Sequence, residues 1–544
     1  MDKNFQKKAM KFKIKVSIFL ILTILISRID HALAQQQKAN GVAYEIVAKS
    51  AKALGGVERI ANLHSLTLQG YAQYAYMWGG GNISSAINAP EKLIAANELI
   101  RTWNFDEDAF QLKERRNMLF PFAGAFGHLF LPVNQVLQKT TAFDLMPNGK
   151  SVLVPIFTEN PLYIDGSRVR KLWSLTNPVA MLNALLTNKV KVTNVVNYKK
   201  ETILSVSAGE NIELKFTIDN QTNIPLSVSW KAPHSVLAEV SLTTSFSGYM
   251  PYEGIMLPMG YTTKIDFRDV VYLRMFVDGY RVNTSTGNLK IPDSLLGKTV
   301  LADSAPKIEV ETLGKGIWKL TGGTTIIEFK DHLVAFELYG NQLMGKAILE
   351  KANTLVSGKK VTSLIVSHHH FDHTGGFRAG VAAGLKVYSH RNNEGILREI
   401  ANRKAPDFND VLKSSGNFDF VPIDEELTLK DEMATLKIYH VISNNHMADA
   451  VFGYLPEQKI FIDADIATAA ADWQLWPDSY QNNLDYYQLK VDKVSSVHER
   501  TMTHQEILKF IEEGKQRAIK RDSTYRERGE YLPGYPVFYN KKNN

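Results

Sequence analysis

Cysteine is absent from all 544 residues of the sequence. No disulfide can therefore stabilise the protein, and no thiol is present that could act as a nucleophile or be oxidised. A strong net charge is also missing, because residues 1–34 hold seven basic and two acidic residues and so carry +5 of the formal +7. Outside that segment and the C-terminal tail, no basic stretch interleaves with aromatic residues, so we expect no nucleic acid partner.

The first 34 residues have the pattern of a secretory signal peptide. Several lysines precede the apolar run Val16–Ile26, and the small residues Ala32 and Ala34 match the cleavage rule. The run has eleven residues, which is too short to span a bilayer comfortably. We therefore expect cleavage after Ala34, a periplasmic or secreted protein, and no stable membrane span afterwards. A retained signal anchor is the alternative, and the lack of a cysteine after the run excludes a lipoprotein anchor.

Residues 361–376 place a short apolar strand directly before a dense group of histidine and aspartate. The segment reads Val-Thr-Ser-Leu-Ile-Val-Ser-His-His-His-Phe-Asp-His-Thr-Gly-Gly, so that His368, His370, Asp372 and His373 follow the strand. Sheets of α/β type usually place their chemistry at the C-terminal ends of strands. Neutral imidazole suits zinc, copper, iron or nickel, and a nearby carboxylate lets a second cation bind beside the first. The pattern predicts a metal site, with a surface histidine tract as the alternative.

This segment resembles the signature of the metallo-β-lactamase-fold superfamily, and it is especially similar to the glyoxalase II version. In that family a further histidine, an aspartate that closes a strand and a last histidine follow in order. His446, Asp465 and His498 follow here in the same order, so the resemblance covers about residues 308–515. It implies one metal held by His368, His370 and His446, and a second held by Asp372, His373 and His498, with Asp465 as the bridge.

The resemblance also implies a cofactor and a reaction. Two zinc ions are expected per chain, although the same ligands accept iron or manganese. A water shared by such a metal pair has a pKa of roughly 7, which gives a hydroxide nucleophile at neutral pH. Asp372 is the residue expected to orient this water and to move its proton. The implied function is an exported hydrolase of small molecules that cleaves an ester, thioester, lactone or β-lactam-like amide bond.

Three positions depart from the pattern of the family. Glu337 stands where the family has an aspartate at the end of the preceding strand, and we expect it to accept a hydrogen bond behind the ligands. Ser496-Val497-His498-Glu499 replaces the usual Pro-Gly-His-Gly. Asp465 stands where the commonest class of metallo-β-lactamases has a cysteine ligand, so that class is excluded.

We predict an α+β chain in which a mostly antiparallel β-rich N-terminal domain precedes a C-terminal αββα metallo-β-lactamase sandwich. The N-terminal part combines helical spacing over Val42–Leu54 with strand-like segments and with hairpins near Asn220 and Gly254. It is weakly similar to periplasmic lipoprotein-carrier-like domains. The expected organisation is a signal peptide at 1–34, an N-terminal domain at 35–282, a linker at 283–307, the metallo-β-lactamase-fold domain at 308–515 and a C-terminal tail at 516–544.

Two other functions are compatible with the sequence. A phosphodiesterase of the same fold would use the same ligands, and the lack of a basic surface disfavours it. A non-catalytic periplasmic carrier of a lipid or other ligand would keep the metal domain as a scaffold, and the complete ligand set disfavours this. Trp473 and Trp476 are candidates for an apolar lip around the substrate, and His369 is expected to point away from the metals. The sequence leaves the oligomeric state open.

Overall fold

The structure, a computed structural model, describes residues 41–77, 84–86, 92–118, 131–154, 166–209, 212–298, 306–406, 410–412, 416–444, 447–467 and 478–527. The expected signal peptide and its cleavage site lie outside these residues. The expected ligand His446 and the candidate lip residues Trp473 and Trp476 also lie outside them. Within the described part of the chain, no helix combines the length and the apolar character needed to cross a membrane.

An extended antiparallel sheet dominates the N-terminal half of the described chain. Its thirteen strands follow the order β6-β5-β4-β3-β2-β1-β13-β12-β11-β10-β9-β8-β7. The strands are β1 (Ser65–Ala75), β2 (Leu93–Asn104), β3 (Ala109–Met118), β4 (Leu131–Gln138), β5 (Thr141–Leu145), β6 (Ser151–Leu153), β7 (Lys191–Asn197), β8 (Glu201–Ser207), β9 (Glu213–Asp219), β10 (Pro225–His234), β11 (Ala238–Tyr252), β12 (Ile255–Ile265) and β13 (Val271–Val282). This large antiparallel sheet fits the predicted β-rich character of the N-terminal part of the chain.

The strands form where apolar residues alternate with polar ones. In β8, Thr202, Leu204 and Val206 are buried while the residues between them are partly exposed, which is the period-two pattern of a strand with one covered face. Hairpins join neighbouring strands at the positions that the sequence indicated. Glu253 and Gly254 both have positive φ, 48° and 80°, as a two-residue turn of the hairpin type requires.

Four helices accompany this sheet: α1 (41–53), α2 (Val57–Ala61), α3 (Gly166–Ser174) and α4 (Pro178–Leu186). The predicted helix over Val42–Leu54 corresponds to α1. It ends at Gly55, whose φ is 129°, and a Cβ atom there would lie 2.3 Å from the carbonyl oxygen of Gly254. Only glycine fits this close approach of two backbone segments. Asn177 begins α4 by accepting hydrogen bonds from the backbone N–H groups of Val179 and Ala180.

The chain divides into two compact units that do not follow the chain order. Of the described residues, the first unit contains those within 1–64, 172–230 and 244–259, and the second contains those within 65–171, 231–243 and 260–544. Strands β1 to β6 and β13 therefore belong to the same unit as the histidine-rich motif.

Two further sheets form the C-terminal half of the described chain. The first has seven strands in chain order: β14 (Val310–Gly314), β15 (Ile317–Leu320), β16 (Thr325–Glu328), β17 (Leu333–Phe336), β18 (Val361–Ile365), β19 (Lys386–His390) and β20 (Phe420–Ile423). The second has six: β21 (Glu426–Lys430), β22 (Thr435–His440), β23 (Val451–Leu455), β24 (Ile460–Asp463), β25 (Lys493–Ser496) and β26 (Met502–Thr503). Pairing is parallel from β17 to β20 and between β24 and β25.

These two sheets share one hydrophobic core. Phe336 and Ile365 of the first sheet and Ile438 and Ile462 of the second belong to the same cluster and are fully buried. Four of the five residues of β18 are buried and only Thr362 is exposed, which is the pattern of a strand covered on both faces over most of its length. The remaining helices are α5 (Gln342–Ala352), α6 (Phe371–Thr374), α7 (Phe377–Ala382), α8 (Glu394–Asn402), α9 (Ser479–Tyr486) and α10 (His504–Glu527).

Helices α9 and α10 cover the other face of the six-stranded sheet. Tyr480 of α9 and Ile507 of α10 share a second core cluster with Phe461 of β24. Helix α10 begins with a capping box, in which Glu506 N–H donates to Thr503 Oγ1 at 3.2 Å and Thr503 N–H donates to Glu506 Oε2 at 2.8 Å. Burial of Ile507 against the sheet then fixes the apolar face of the helix.

Two expected boundaries differ from the structure. Within the expected linker at 283–307, Leu289 and Leu295 are 2% and 6% exposed and pack against Val136 and Phe143. That part of the expected linker therefore packs on the sheet through these leucines. At the other end of the chain, α10 continues past residue 515 to Glu527.

A buried ion pair ties α7 to the end of α8. Arg378 is fully buried, and its guanidinium donates to both carboxylate oxygens of Asp410 at 3.1 and 2.6 Å. The same guanidinium donates to the carbonyl oxygens of Ile400 and Ala401. The four contacts satisfy a charge that could not otherwise be buried.

We predict that Asp410→Ala lowers the free energy of unfolding by about 3–5 kcal/mol, because the Arg378 guanidinium stays buried without its counter-charge. Urea denaturation followed by circular dichroism measures this. Asp424→Ala is the matched control, since it removes the exposed pair between Asp424 and Arg391 and should leave stability nearly unchanged. Equal losses of unfolding free energy in Asp410→Ala and Asp424→Ala would contradict the conclusion that the buried pair stabilises the fold.

Candidate metal centre

The ligand segment begins where β18 meets the second sheet. After Ile365 the chain leaves the strand, and Ser367 O accepts a hydrogen bond from Val451 N–H of β23 at 2.9 Å. Ser367 N–H donates to Glu337 Oε1, also at 2.9 Å. The segment is thus held from both sheets at once, so the side chains that follow project from a fixed backbone.

Within the described residues, two groups have donor atoms placed to hold a metal ion. The first group contains His368, His370 and Asp465, whose ligand atoms all lie within 4.8 Å of one another. His368 is fully buried, His370 is 5% exposed, and the side chain of Asp465 is 12% exposed. The Nδ1 atom of His368 lies 2.9 Å from Ser367 Oγ, which leaves Nε2 facing Asp465 Oδ2 at 3.6 Å.

The second group contains Asp372, His373 and His498, also within 4.8 Å of one another. The Nε2 atoms of His373 and His498 lie 3.2 Å apart, and each is 3.5 Å from Asp372 Oδ2. His373 is buried, whereas the side chains of Asp372 and His498 are 26% and 30% exposed. This group therefore faces solvent and could meet a substrate.

Asp465 lies between the two groups. Its Oδ2 atom is 3.2 Å from His373 Nε2 and 3.6 Å from His368 Nε2, and its Oδ1 atom is 2.8 Å from His498 Nε2. A tight turn after β24 directs it there, because Asp463 Oδ1 accepts hydrogen bonds from the backbone N–H groups of Ile466 and Ala467. Asp465 itself has a φ of 63°, a conformation that aspartate tolerates better than most residues.

Glu337 supports the centre from behind. It is fully buried, and its Oε2 atom lies 3.6 Å from His373 Nδ1 while Oε1 accepts the Ser367 N–H. The longer carboxylate therefore reaches the position that the sequence assigned to it, on the far side of a candidate ligand. At this distance the carboxylate and the ring interact electrostatically without a hydrogen bond, so Glu337 favours positive charge on His373.

The loop around His498 is held without the usual glycines. Lys319 Nζ donates to the Glu499 carbonyl oxygen at 2.5 Å, and Ser496 Oγ accepts the Glu499 N–H at 3.2 Å. Gly323, with a φ of 76°, allows the loop to approach, since a Cβ atom there would lie 2.3 Å from Val497 Cα. These contacts turn the side chain of His498 into the second group.

The other histidines of the region lie outside both groups. His369 is 4% exposed, and its Nδ1 atom is 3.3 Å from Asn393 Oδ1. The rings of His390 and His440 stack at 4.5 Å, beside Asp449. The expected ligand His446 is outside the described residues, so its place in the first group stays a prediction.

The carboxylates make the centre favourable for positive charge. Burial lowers the pKa of His373, but Asp372, Asp465 and Glu337 outweigh burial and raise it well above its ordinary value. Burial also lowers the pKa of His498, and Asp465 reverses this, so the net pKa is raised. A metal cation would therefore compete with protons for these two rings.

Two tyrosines that interact electrostatically with carboxylates of the centre were not found from the sequence. The ring of Tyr339 lies 5.4 Å from that of His498 and 6.0 Å from that of His373. Burial, followed by Asp372, raises the pKa of Tyr339, and burial, followed by Asp372 and Asp465, raises that of Tyr76. The position of Tyr339 shortly after the end of β17 could have indicated it as a residue of the site. Tyr76 follows β1 in the other half of the chain and offers no such signal.

No protein-family model and no curated protein matches the sequence. Among solved structures, a metallo-β-lactamase from Pontibacter korlensis shares 18% identity, with a match that covers 38% of this chain and 99% of that protein at a TM-score of 0.29. A metallo-β-lactamase from Hirschia baltica shares 17% identity, covering 38% and 96% at a TM-score of 0.29. A stereoselective inverting sec-alkylsulfatase from Pseudomonas sp. shares 16% identity, covering 41% and 46% at a TM-score of 0.30.

The chain resembles the metallo-β-lactamase-fold metallohydrolases. Two of these proteins are metallo-β-lactamases, the family that the histidine and aspartate motifs of this chain resemble. At these identities and TM-scores, the chemistry of the centre has to be argued from this chain's own residues.

We predict that zinc affinity falls steeply as the pH is lowered from about 8 to about 6, by about tenfold per unit for each proton displaced. The reason is that the raised pKa values of His373 and His498 keep these rings protonated in the metal-free protein. Competition with a chromophoric chelator measures the affinity across this range. A zinc affinity that does not change with pH would contradict the prediction that zinc displaces protons from these rings.

We predict that Lys319→Met weakens binding of one of two metals by about tenfold, because the carbonyl of Glu499 loses its charged donor and the His498 loop is no longer fixed. Elemental analysis after dialysis against a weak chelator measures the retained metal. Lys493→Met is the control, since Lys493 Nζ donates to Leu313 O away from this loop at 3.1 Å. The same metal loss in the control would show that the effect is not specific to His498.

Proposed function

We propose that this protein is an exported hydrolase that holds two zinc ions and cleaves an ester, thioester, lactone or amide bond of a small molecule. The observation that carries the proposal is the meeting of two donor groups at one carboxylate, Asp465. The layers of the C-terminal half agree with the αββα sandwich of metallo-β-lactamases, in which such a centre lies at the edge between the sheets. The signal-peptide pattern of residues 1–34 supports a periplasmic or secreted location.

The residues present fit a pair of such ions. Their donors are imidazole nitrogens and carboxylate oxygens, which suit zinc, iron and manganese. The raised pKa of His373 shows that the position stabilises positive charge. In the proposed assignment, His368, His370 and His446 would hold one ion, Asp372, His373 and His498 would hold the other, and Asp465 would contribute its carboxylate to both.

When bound, the metals supply polarisation of the scissile carbonyl and lower the pKa of a water to about 7. The rest of the chemistry falls to side chains. Asp372 is 26% exposed at the open side of the second group, so it can orient the attacking water, accept its proton and return that proton to the leaving group. Tyr339 keeps its own proton because its pKa is raised, and it can donate a hydrogen bond to a bound substrate.

A small-molecule substrate is consistent with the charge of the chain outside residues 1–34, which is nearly balanced. A nucleic acid would require a basic surface to neutralise its phosphates. A phosphodiesterase of the same fold is the alternative reaction, and a carrier with a metal-binding scaffold is the alternative of another class. A panel of substrates that includes phosphodiesters separates these outcomes.

We predict close to two zinc ions per chain in protein purified without a histidine tag, falling in His370→Ala and in Asp465→Ala because each removes a donor from the centre. Elemental analysis measures the metal, and chromogenic esters, lactones, β-lactams and phosphodiesters measure hydrolysis. His369→Gln is the control, since this neighbour faces Asn393 and should keep both metals. Substoichiometric metal that no variant changes would favour the carrier function.

A further inference from the structure

Phe371 joins the two donor groups of the metal centre along the chain. It stands between His370 of the first group and Asp372 of the second, and it is the first residue of α6. Its own side chain cannot bind a metal, and it is fully buried. Any shift of this ring is carried through the backbone to the donors on either side of it.

His234, at the end of β10, packs against the Phe371 ring. The two ring centroids lie 5.3 Å apart at an interplanar angle of 80°, which is the edge-to-face geometry that aromatic pairs prefer. His234 is 1% exposed, so the contact is shielded from solvent. Both residues belong to the second compact unit. The short helix that carries the ligands therefore packs on a residue of the β-rich part of the chain.

Hydrogen bonds fix the orientation of the His234 ring. Its Nδ1 atom accepts the backbone N–H groups of Val236 at 3.1 Å and Leu237 at 3.0 Å. A flip of the ring would break both bonds. Burial, followed by the charge of Arg403, lowers the pKa of His234 to about 3, so the ring stays neutral at physiological pH and Nδ1 stays an acceptor. Phe371 thus packs against a ring that cannot turn freely.

Arg403 fixes the turn that follows His234. It lies directly after α8, and its guanidinium donates to the carbonyl oxygens of Leu237 at 2.8 Å and Glu239 at 2.6 Å. Ala238 lies between these two residues with a φ of 63°, a conformation that residues with a side chain seldom adopt. The charged donor therefore stabilises a strained turn, and this turn in its place supplies the two N–H groups that orient His234.

We propose that His234 is a positioning residue of the metal centre. Its ring keeps Phe371 in place, so the donors on either side of Phe371 stay at the spacing that two metals require. This inference rests on the proposed function in that it requires the centre to bind metal. Residues behind metal ligands commonly change the metal affinity by about ten- to a hundredfold when they are altered. The β-rich part of the chain then contributes to metal binding without supplying a ligand.

Two substitutions separate the ring contact of His234 from its hydrogen bonds. His234→Asn keeps an acceptor near the Nδ1 position for the two backbone N–H groups, and it removes the ring that packs against Phe371. We expect it to raise the zinc Kd about tenfold and to change the visible spectrum of the cobalt-substituted protein, with a nearly unchanged urea midpoint of unfolding. Competition with a chromophoric chelator measures the Kd.

His234→Phe is the matched control, since it keeps a ring and removes the acceptor. It should lower the urea midpoint, because two buried N–H groups lose their partner, and it should keep the zinc Kd and the cobalt spectrum of the unaltered protein. Phe371→Leu tests the same contact from the other side, and it should raise the zinc Kd about tenfold as well. Combined with His234→Asn it should add no further rise, because both changes remove one contact.

The results that would overturn the inference differ in what they imply. If the unaltered protein binds metal but His234→Asn leaves the zinc Kd and the cobalt spectrum unchanged, the role of His234 is wrong while the metallohydrolase stands. If His234→Asn and His234→Phe both weaken zinc binding in proportion to their loss of stability, His234 is only a structural residue. A further rise of the Kd in the double variant would show that the ring contact is not the route. If the unaltered protein binds no zinc or cobalt, the proposed function fails and this inference fails with it.

Discussion

Buried negative charge among imidazole rings is the constraint on which the rest of the centre depends. The Asp465 carboxylate lies 2.8 Å from His498 Nε2 and 3.2 Å from His373 Nε2, and Glu337 is fully buried behind the latter ring. Carboxylates withdrawn from water require compensating positive charge. Protons meet this requirement in the metal-free protein, and metal cations meet it when bound. The strands of the two sheets must therefore end close together, so that the residues after them bring imidazole and carboxylate groups to the same centre.

The sequence was sufficient to predict site residues that are close together in the chain or that follow the order known from the resembling family. His368 to His373 occupy one turn after a buried strand, so their proximity needs no knowledge of the tertiary fold. The capping box at Thr503 and Glu506 is equally local. Asp465 and His498 could be placed because the resemblance supplied their order, and the structure brings both to the centre.

Residues that act across long stretches of chain were not predictable in this way. Lys319 and the carbonyl that it holds are 180 positions apart, and no periodicity or motif connects them. In the sequence, most of the N-terminal domain lies between Tyr76 and the histidine motif at 368–373. Composition also misled at the end of the chain, where a polar tail was expected after residue 515. Helix formers such as Lys515 and Gln516 extend α10 there, with Gln516 donating to Glu512 at 2.7 Å.

The contacts of Arg403 have a consequence for how this protein can evolve. Two of its acceptors, Leu237 O and Glu239 O, are main-chain atoms that every amino acid possesses. Substitution of either side chain leaves the acceptor itself in place, so this contact sets no requirement on the identity of residues 237 and 239. The side-chain specificity of the attachment then resides in Arg403 and in Asp266, whose carboxylate accepts a hydrogen bond from it at 2.8 Å.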